Sequence, residues 1–308
     1  MLKFTLRRSA QMVVVVLGVV TLVFFILRFA TGDPARLMHP PGEQDEIVQL
    51  TRERLGTDRP LMVQYGDYLV GLAQGDLGTS FHGGAPVMEE VLDTLPNTAA
   101  LAAVTIVVSS TLALVLGIAA ALRPNGFLDR AVLVYVSLAL ATPSFWLAIV
   151  LVLFFAVQLA WFPAVDMEGP RSFVLPVATL VVALTPVLIR TIRQSFLDTL
   201  GDDHVRAARA RGISERRVIL VHGLKVASLP LVTLVGLQAG LILAGAYVVE
   251  FIFNWPGIGK LTLDAVAGRN FPVIQGGVLV AALAFVMVNF VVDLVYAALD
   301  PRIRLGMR

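Results

Sequence analysis

The chain contains no cysteine in 308 residues, which removes disulfide frameworks, thiolate metal sites and cysteine nucleophiles together. Charge is scarce, at 15% of residues against about 25% in an ordinary soluble domain. Histidine occurs only at His39, His82, His204 and His222, and no H-x-x-H or H-E-x-x-H spacing argues for a metal site. A nucleotide loop is also missing. Gly257-Ile258-Gly259-Lys260 resembles one superficially, but Asn254 stands at the first glycine position and Leu261 at the Ser/Thr position, with no strand before it. No low-complexity tract or internal repeat is visible. A net charge of only +2 implies no nucleic-acid partner.

What fills the chain is apolar: 57% hydrophobic residues and a mean hydropathy of +0.82. A helix needs about 20 apolar residues to cross a bilayer core, and six stretches qualify, at about 9–29, 97–122, 132–160, 173–193, 227–252 and 273–298. Each is too long and too evenly apolar for a half-buried strand, and in lipid a helix satisfies its backbone within its own segment. The expected fold is therefore an all-α integral membrane protein of six transmembrane helices. The first run follows Lys3, Arg7 and Arg8, exceeds a signal-peptide core of about 7–15 residues and precedes no A-x-A site, so an uncleaved helix is expected. Pro143 and Pro186 lie inside spans and predict kinks.

Basic residues set the orientation. Sixteen of the 24 fall on one side: the N-tail, the 123–131 turn (Arg123, Arg130), the 190–226 stretch and the C-tail (Arg302, Arg304, Arg308). That side is read as cytoplasmic, with both termini inside. The outer side receives Arg28, Arg36, Arg52, Arg54, Arg59, Arg171, Lys260 and Arg269. The chain divides into a tail and first helix (1–30), an extracytoplasmic segment (31–96), a core of five helices (97–300) and a C-tail (301–308). Residues 31–96 combine polar composition with regular apolar positions such as Tyr65, Tyr68 and Leu69, which predicts a small folded cap with one or two helices.

The polar stretch from Gln194 to Val226 interrupts the apolar pattern. Six basic residues there, at about 2.5 kcal/mol or more each, make burial in lipid untenable. Asp202 and Asp203 suit a helix start, Arg209 and Arg211 its end, and Asp202 stands four residues before Arg206. Gly212 occupies a left-handed capping position, and Ser214 is placed to cap a second helix carrying Val218, Ile219, Val221 and Leu224. The small side chains of Ala207, Ala208 and Ala210 let another surface approach the backbone while the arginines snorkel around the contact. Two readings fit this composition: docking on an acidic partner, or lying on anionic headgroups.

Arg206-Ala207-Ala208, three residues and Gly212 resemble the EAA loop of ABC-transporter permease subunits, with arginine in place of the leading acid and with His222, Leu224 and Lys225 where the later part of that motif is altered. Further matches run in order along the chain: Gly32-Asp33-Pro34-Ala35, Gly75-Asp76-Leu77-Gly78-Thr79-Ser80, Leu95-Pro96-Asn97-Thr98, Pro143-Ser144-Phe145-Trp146, Trp255-Pro256-Gly257-Ile258-Gly259, Pro272-Val273-Ile274-Gln275-Gly276, then Asn289, Asp293, Tyr296 and Asp300-Pro301-Arg302. Together they resemble the dipeptide/oligopeptide/nickel permeases, where the arginine form of the loop is usual. The resemblance implies an ABC type I importer permease fold in the bacterial cytoplasmic membrane. It also implies a second homologous permease subunit, two cytoplasmic ATPase subunits that carry ATP and magnesium, and an extracytoplasmic substrate-binding protein, with no cofactor and no catalysis on this chain. Cargo would be short peptides, with nickel or glutathione as alternatives. A rival of another class is a channel or secondary transporter.

By the same resemblance, Arg206, Ala207, Ala208, Arg209 and Gly212 are candidates for coupling to the ATPase. Gln238, Glu250, Trp255, Pro256, Gly257, Asn289 and Asp293 are candidates for the pathway or gate, each with a structural alternative. Gln238 serves either to line a passage or to bond a neighbouring helix. Glu250 faces either substrate or helix packing, Trp255 closes the outer mouth or anchors at the interface, and Asp293, four residues from Asn289 on one helix face, pairs with a base or acts in the pathway.

Overall fold

The computed structural model describes residues 2–31, 33–39, 42–164, 167, 169–219 and 229–299. Among them the only extended pairing is one isolated antiparallel bridge between Thr79 and Pro86; the rest of the regular structure is helical. The chain forms two compact units, one from residues 1–98 and 256–284, the other from 99–255 and 285–308. The C-tail 301–308, the Asp300-Pro301-Arg302 match and loop residues His222, Leu224 and Lys225 lie outside the described residues.

In the first unit, α1 (Leu2–Thr31) carries the apolar stretch Arg8–Phe29. It buries Val20 and Phe24 and leaves Val14, Leu22 and Phe29 exposed, the pattern of a helix with one face on protein and the rest toward lipid. Among the described residues, 31–96 hold three helices before the long one that begins at Val87, rather than one or two: α2 (Pro34–Leu37), α3 (Asp45–Leu55) and α4 (Leu61–Ala73). The first is too short to show a periodicity and is made by local chemistry. Asp33 accepts the Ala35 N–H at 3.1 Å, Pro34 opens the first turn, and Arg52 of α3 grips the same carboxylate at 2.6 Å. The match around Asp33-Pro34 therefore has a folding role.

The Gly75–Ser80 match is likewise architectural. Gly75, at φ 80°, ends α4 with its N–H on the Leu72 carbonyl and that of Asp76 on Gly71, a left-handed closure open to glycine. Asp76 Oδ1 then accepts the Gly78 N–H at 2.8 Å, and buried Asn270 fastens the loop, donating to Ser80 Oγ at 2.7 Å and accepting from the Phe81 N–H at 3.0 Å. The helix α5 (Val87–Leu122) begins ten residues before the predicted 97 and runs through Pro96. Glu89 and Glu90 in its first turn fall below an apolar threshold, yet they suit a helix start.

The second unit is built around α8 (Val174–Gly201), whose flanks bury Leu175, Leu180, Leu188, Ile189, Ile192 and Phe196. It continues eight residues past the predicted end at 193, taking in the start of the polar stretch. Pro186 stays inside it. Pro143 acts differently: the predicted third span is split into α6 (Phe127–Ala141) and α7 (Ser144–Leu151), the latter continuing as a π-helix to Gln158, with a 99° bend between the two halves. The predicted fifth span is likewise divided, into α11 (Leu229–Gly245) and α12 (Tyr247–Ile252). Four described helices are long and apolar enough to cross a bilayer, five when the bent pair counts as one span, and α11 contributes a shorter apolar helix over Pro230–Leu243.

Candidate coupling segment and pathway residues

The polar stretch folds as a small structure of its own. After α8 the chain turns at Asp202 into α9 (Asp203–Ala210), closes at Gly212 and enters α10 (Glu215–Arg217). Gly212 adopts φ 75°. Its N–H meets the Arg209 carbonyl at 2.9 Å while that of Ile213 meets Ala208 at 3.3 Å, the paired closure that uses two otherwise unsatisfied carbonyls. Ile213 packs with Val205, Ala208, Val218 and Leu200, so the knuckle has a hydrophobic centre joined to the end of α8. Ser214 stands at the start of α10 as predicted, but its hydroxyl makes no capping bond there.

One prediction changes at this site. Ala208 is only 4% exposed; its small side chain serves the inner fit of the knuckle and not an outer contact. Arg206 pairs with Asp203 at 3.5 Å, an i,i+3 partner that sequence spacing did not name. Ala210, Arg206, Arg209 and Arg211 remain on the exposed side, and Ala207 is half-buried. Sequence reading missed a clasp across the two helices: Arg209 Nε and Nη2 donate to Glu215 at 3.1 and 2.7 Å. Hydrogen bonding to Arg209 holds the Glu215 carboxyl below its usual range and raises the guanidinium in turn. Glu215 lies six residues from Arg209, outside the three- or four-residue spacing that a single helix would reveal.

A second fork was also missed. Arg193, counted from sequence among the bases of the cytoplasmic side, is 18% exposed and donates through Nε and Nη2 to Asp129 at 2.6 and 2.8 Å, with Asp129 itself 1% exposed. The Asn125 N–H adds a third bond to that carboxylate at 2.8 Å. The turn between α5 and α6 is thereby pinned to α8, eight residues before Gly201. The signal available in sequence was only an aspartate in the 123–131 turn, 64 positions from its partner.

The pathway candidates each have distinct local partners. Gln238 bonds a neighbouring helix: its Nε2 donates to the Leu184 carbonyl of α8 at 3.1 Å. Asn289, on α14 (Phe271–Leu299), donates to the Phe285 carbonyl at 2.8 Å. It lies where a Cβ on Gly240 would meet its Nδ2 at 3.1 Å, and one on Gly236 would overlap Val292. This G-x-x-x-G pair, which sequence reading passed over, lets α11 and α14 approach closely. Asp293 is half-buried one turn further along α14. Glu250 is fully buried. Trp255 is fully buried too, with its ring 4.6 Å from that of Phe173 in an edge-on pair and its backbone N–H on the Glu250 backbone carbonyl at 2.7 Å; the interfacial-anchor reading is corrected, because the ring is in the core. In the first unit, Pro256 accepts from Asn97 Nδ2 at 2.8 Å, and Gly257 precedes α13 (Ile258–Ala267), whose first N–H bonds Thr98 Oγ1 at 2.9 Å. The Leu95–Thr98 match thus holds the start of α13.

Residues 1–102 match the family described as binding-protein-dependent transport system membrane component, N-terminal, and residues 113–305 that described as binding-protein-dependent transport system inner membrane component. The chain is 40% identical over 304 residues, 99% of each chain, to the glutathione transport system permease protein GsiC of Salmonella choleraesuis (strain SC-B67), and equally to that of Salmonella typhimurium (strain LT2). It is 38% identical over the same length to GsiC of Escherichia coli (strain K12). The ordered family motifs, the apolar helices and these matches agree: the chain belongs to the inner-membrane components of binding-protein-dependent transport systems, the permeases of ABC importers.

Proposed function

We propose that this chain is one permease subunit of an ATP-driven importer of short peptides. The observation that carries this reading is the knuckle at residues 202–219: a glycine-closed helix with its own small core and exposed arginines, continuous with the long helix α8. Such a body transmits a push without unfolding. In this reading six transmembrane helices, with residues 31–96 as an outer cap, place both termini and the knuckle in the cytoplasm. A second homologous permease completes the passage, two ATPases bind below and hydrolyse ATP, and an external binding protein delivers cargo. Arg206, Arg209 and Ala207 contact the ATPase, Ala208 and Gly212 keep the contact surface in shape. Burial supports roles for Gln238, Glu250, Trp255 and Asn289 in framing the passage, and Pro256 and Gly257 in ordering its outer turn; Asp293 is assigned to the pathway or to pairing at the inner end. Glutathione, itself a tripeptide, is the cargo favoured by the relatives' activity.

The decisive experiment is co-purification with the ATPase subunits. Wild type should retain them, while Gly212→Asp combined with Ala207→Glu and Ala210→Glu should insert normally and lose them. A cysteine placed at Arg209 should react with a membrane-impermeant thiol reagent only after cells are opened. Labelling from outside intact cells ends the proposed orientation.

A further inference from the structure

The first unit contains a polar cleft of about 450 Å³ that none of the roles above uses, within the roughly 300–1,000 Å³ typical of small-ligand sites. It is lined by Arg28, Glu53, Arg54, Tyr68, Asp76 and Gln275 among others. Three features distinguish it from a solvated surface dip. Gln275 is 8% exposed, and its Nε2 has no hydrogen-bond partner among the described residues; a buried amide donor left unsatisfied costs about 1–3 kcal/mol. Arg28, at the end of the first apolar helix, stacks over the Phe24 ring at 4.4 Å and donates Nε to Gln64 at 2.9 Å. That fixes the guanidinium, yet it makes no ion pair with any described residue. Tyr68, stacked on the same ring, has its hydroxyl pushed up to about 12 by burial, so at neutral pH it stays a donor.

The lining therefore carries both signs of charge, with donors from Arg28, Arg54, Gln275 and Tyr68 and carboxylates from Glu53 and Asp76, while Arg59 and Asp67 already pair with each other at 3.0 Å. Glu53 makes no ion pair with a described residue, and Asp76 Oδ1 serves only a backbone N–H. A ligand with one carboxylate and one ammonium matches this set, and a simple anion leaves the acids unanswered. We propose that the cleft binds a small zwitterion of the short-peptide class, its carboxylate on Arg28 and the Gln275 amide and its ammonium toward Glu53 and Asp76. The choice of peptides within zwitterions rests on the import reading above; the charge assignment does not.

The test is equilibrium binding of radiolabelled dialanine to the full chain in phosphatidylcholine nanodiscs. Saturable binding is expected, weakened tenfold or more by Arg28→Gln and by the near-isosteric Gln275→Glu, with dialanine amide a poor competitor. Glu53→Gln, at an exposed position, should weaken dialanine several-fold and leave N-acetyl-dialanine unchanged, which keeps the test open should a buried variant fail to fold. No saturable binding, unchanged affinity in these variants, or displacement by inorganic phosphate or phosphatidylglycerol as effective as by dialanine each overturns the proposal, the last pointing to phosphate or lipid headgroups. ATPase co-purification is read on the same chains. Its retention without dialanine binding rejects the cleft alone, whereas its loss in wild type rejects the import reading and leaves the binding result to stand by itself.

Discussion

Two arginine forks, sixteen positions apart on their arginine side, show how burial changes the meaning of one contact. Arg193 and Arg209 each grip a carboxylate through Nε and Nη2 at 2.6–3.1 Å. The first pair is 18% and 1% exposed, the second 40% and 56%. A buried fork has no water to replace a lost partner, so it acts as a pin. An exposed fork gains little over hydration and yields readily. Arg209 therefore gives up Glu215 at little cost, while Arg193 holds the helix that carries the knuckle.

The largest effect should come from breaking the pin. Asp129→Ala leaves a guanidinium without its carboxylate and should cost about 3–5 kcal/mol, read as a lower unfolding temperature in detergent. Asp129→Leu with Arg193→Met should recover most of it, and equal instability in single and double variants would refute the pairing argument. Next, Gly236→Leu drives a side chain into Val292 and should cost about 1–3 kcal/mol by overpacking, measured in the same assay. If stability is unaffected, α11 and α14 are not in close contact there.

Gly212→Val tests the exposed side through its backbone. A β-branched residue at φ 75° should lose about 1–2 kcal/mol, confined to the knuckle and visible as faster amide exchange in α9. Gly212→Asn should be milder. The smallest effect belongs to Glu215→Gln, which should leave global unfolding unchanged. In wild type, the depressed Glu215 pKa means its contribution is complete above the unfolded value of 4.5 and disappears as pH falls through the lower folded value. Exchange in α9 should therefore accelerate only below pH 4.5 and should not change between pH 6 and 8. A transition in that neutral window would show that another group controls the knuckle.

Much of the architecture was visible in hydropathy because each crossing helix is specified by its own composition. The apolar cores of α1, α5, α8 and α14 all fall within stretches named from sequence. Helix ends and breaks were harder to place. Glu89 and Glu90 lower the local hydropathy while strengthening the start of α5, and a proline permits both the continuous α8 at Pro186 and the 99° turn at Pro143. The knuckle was legible at Gly212 because a left-handed closure is a local event. The burial of Ala208 was not, since it depends on Val218, ten residues away beyond a turn.

By itself the sequence determined that this is a helical membrane chain with a basic, polar stretch between two apolar runs. Those properties follow from transfer energies and backbone preferences that act over a few turns. Only the tertiary structure decided that Arg193 belongs to Asp129, that Trp255 faces Phe173 in the core, and that Gly236 and Gly240 meet α14. Each of these depends on atoms brought together from distant positions, where packing and desolvation, not local preference, set the outcome.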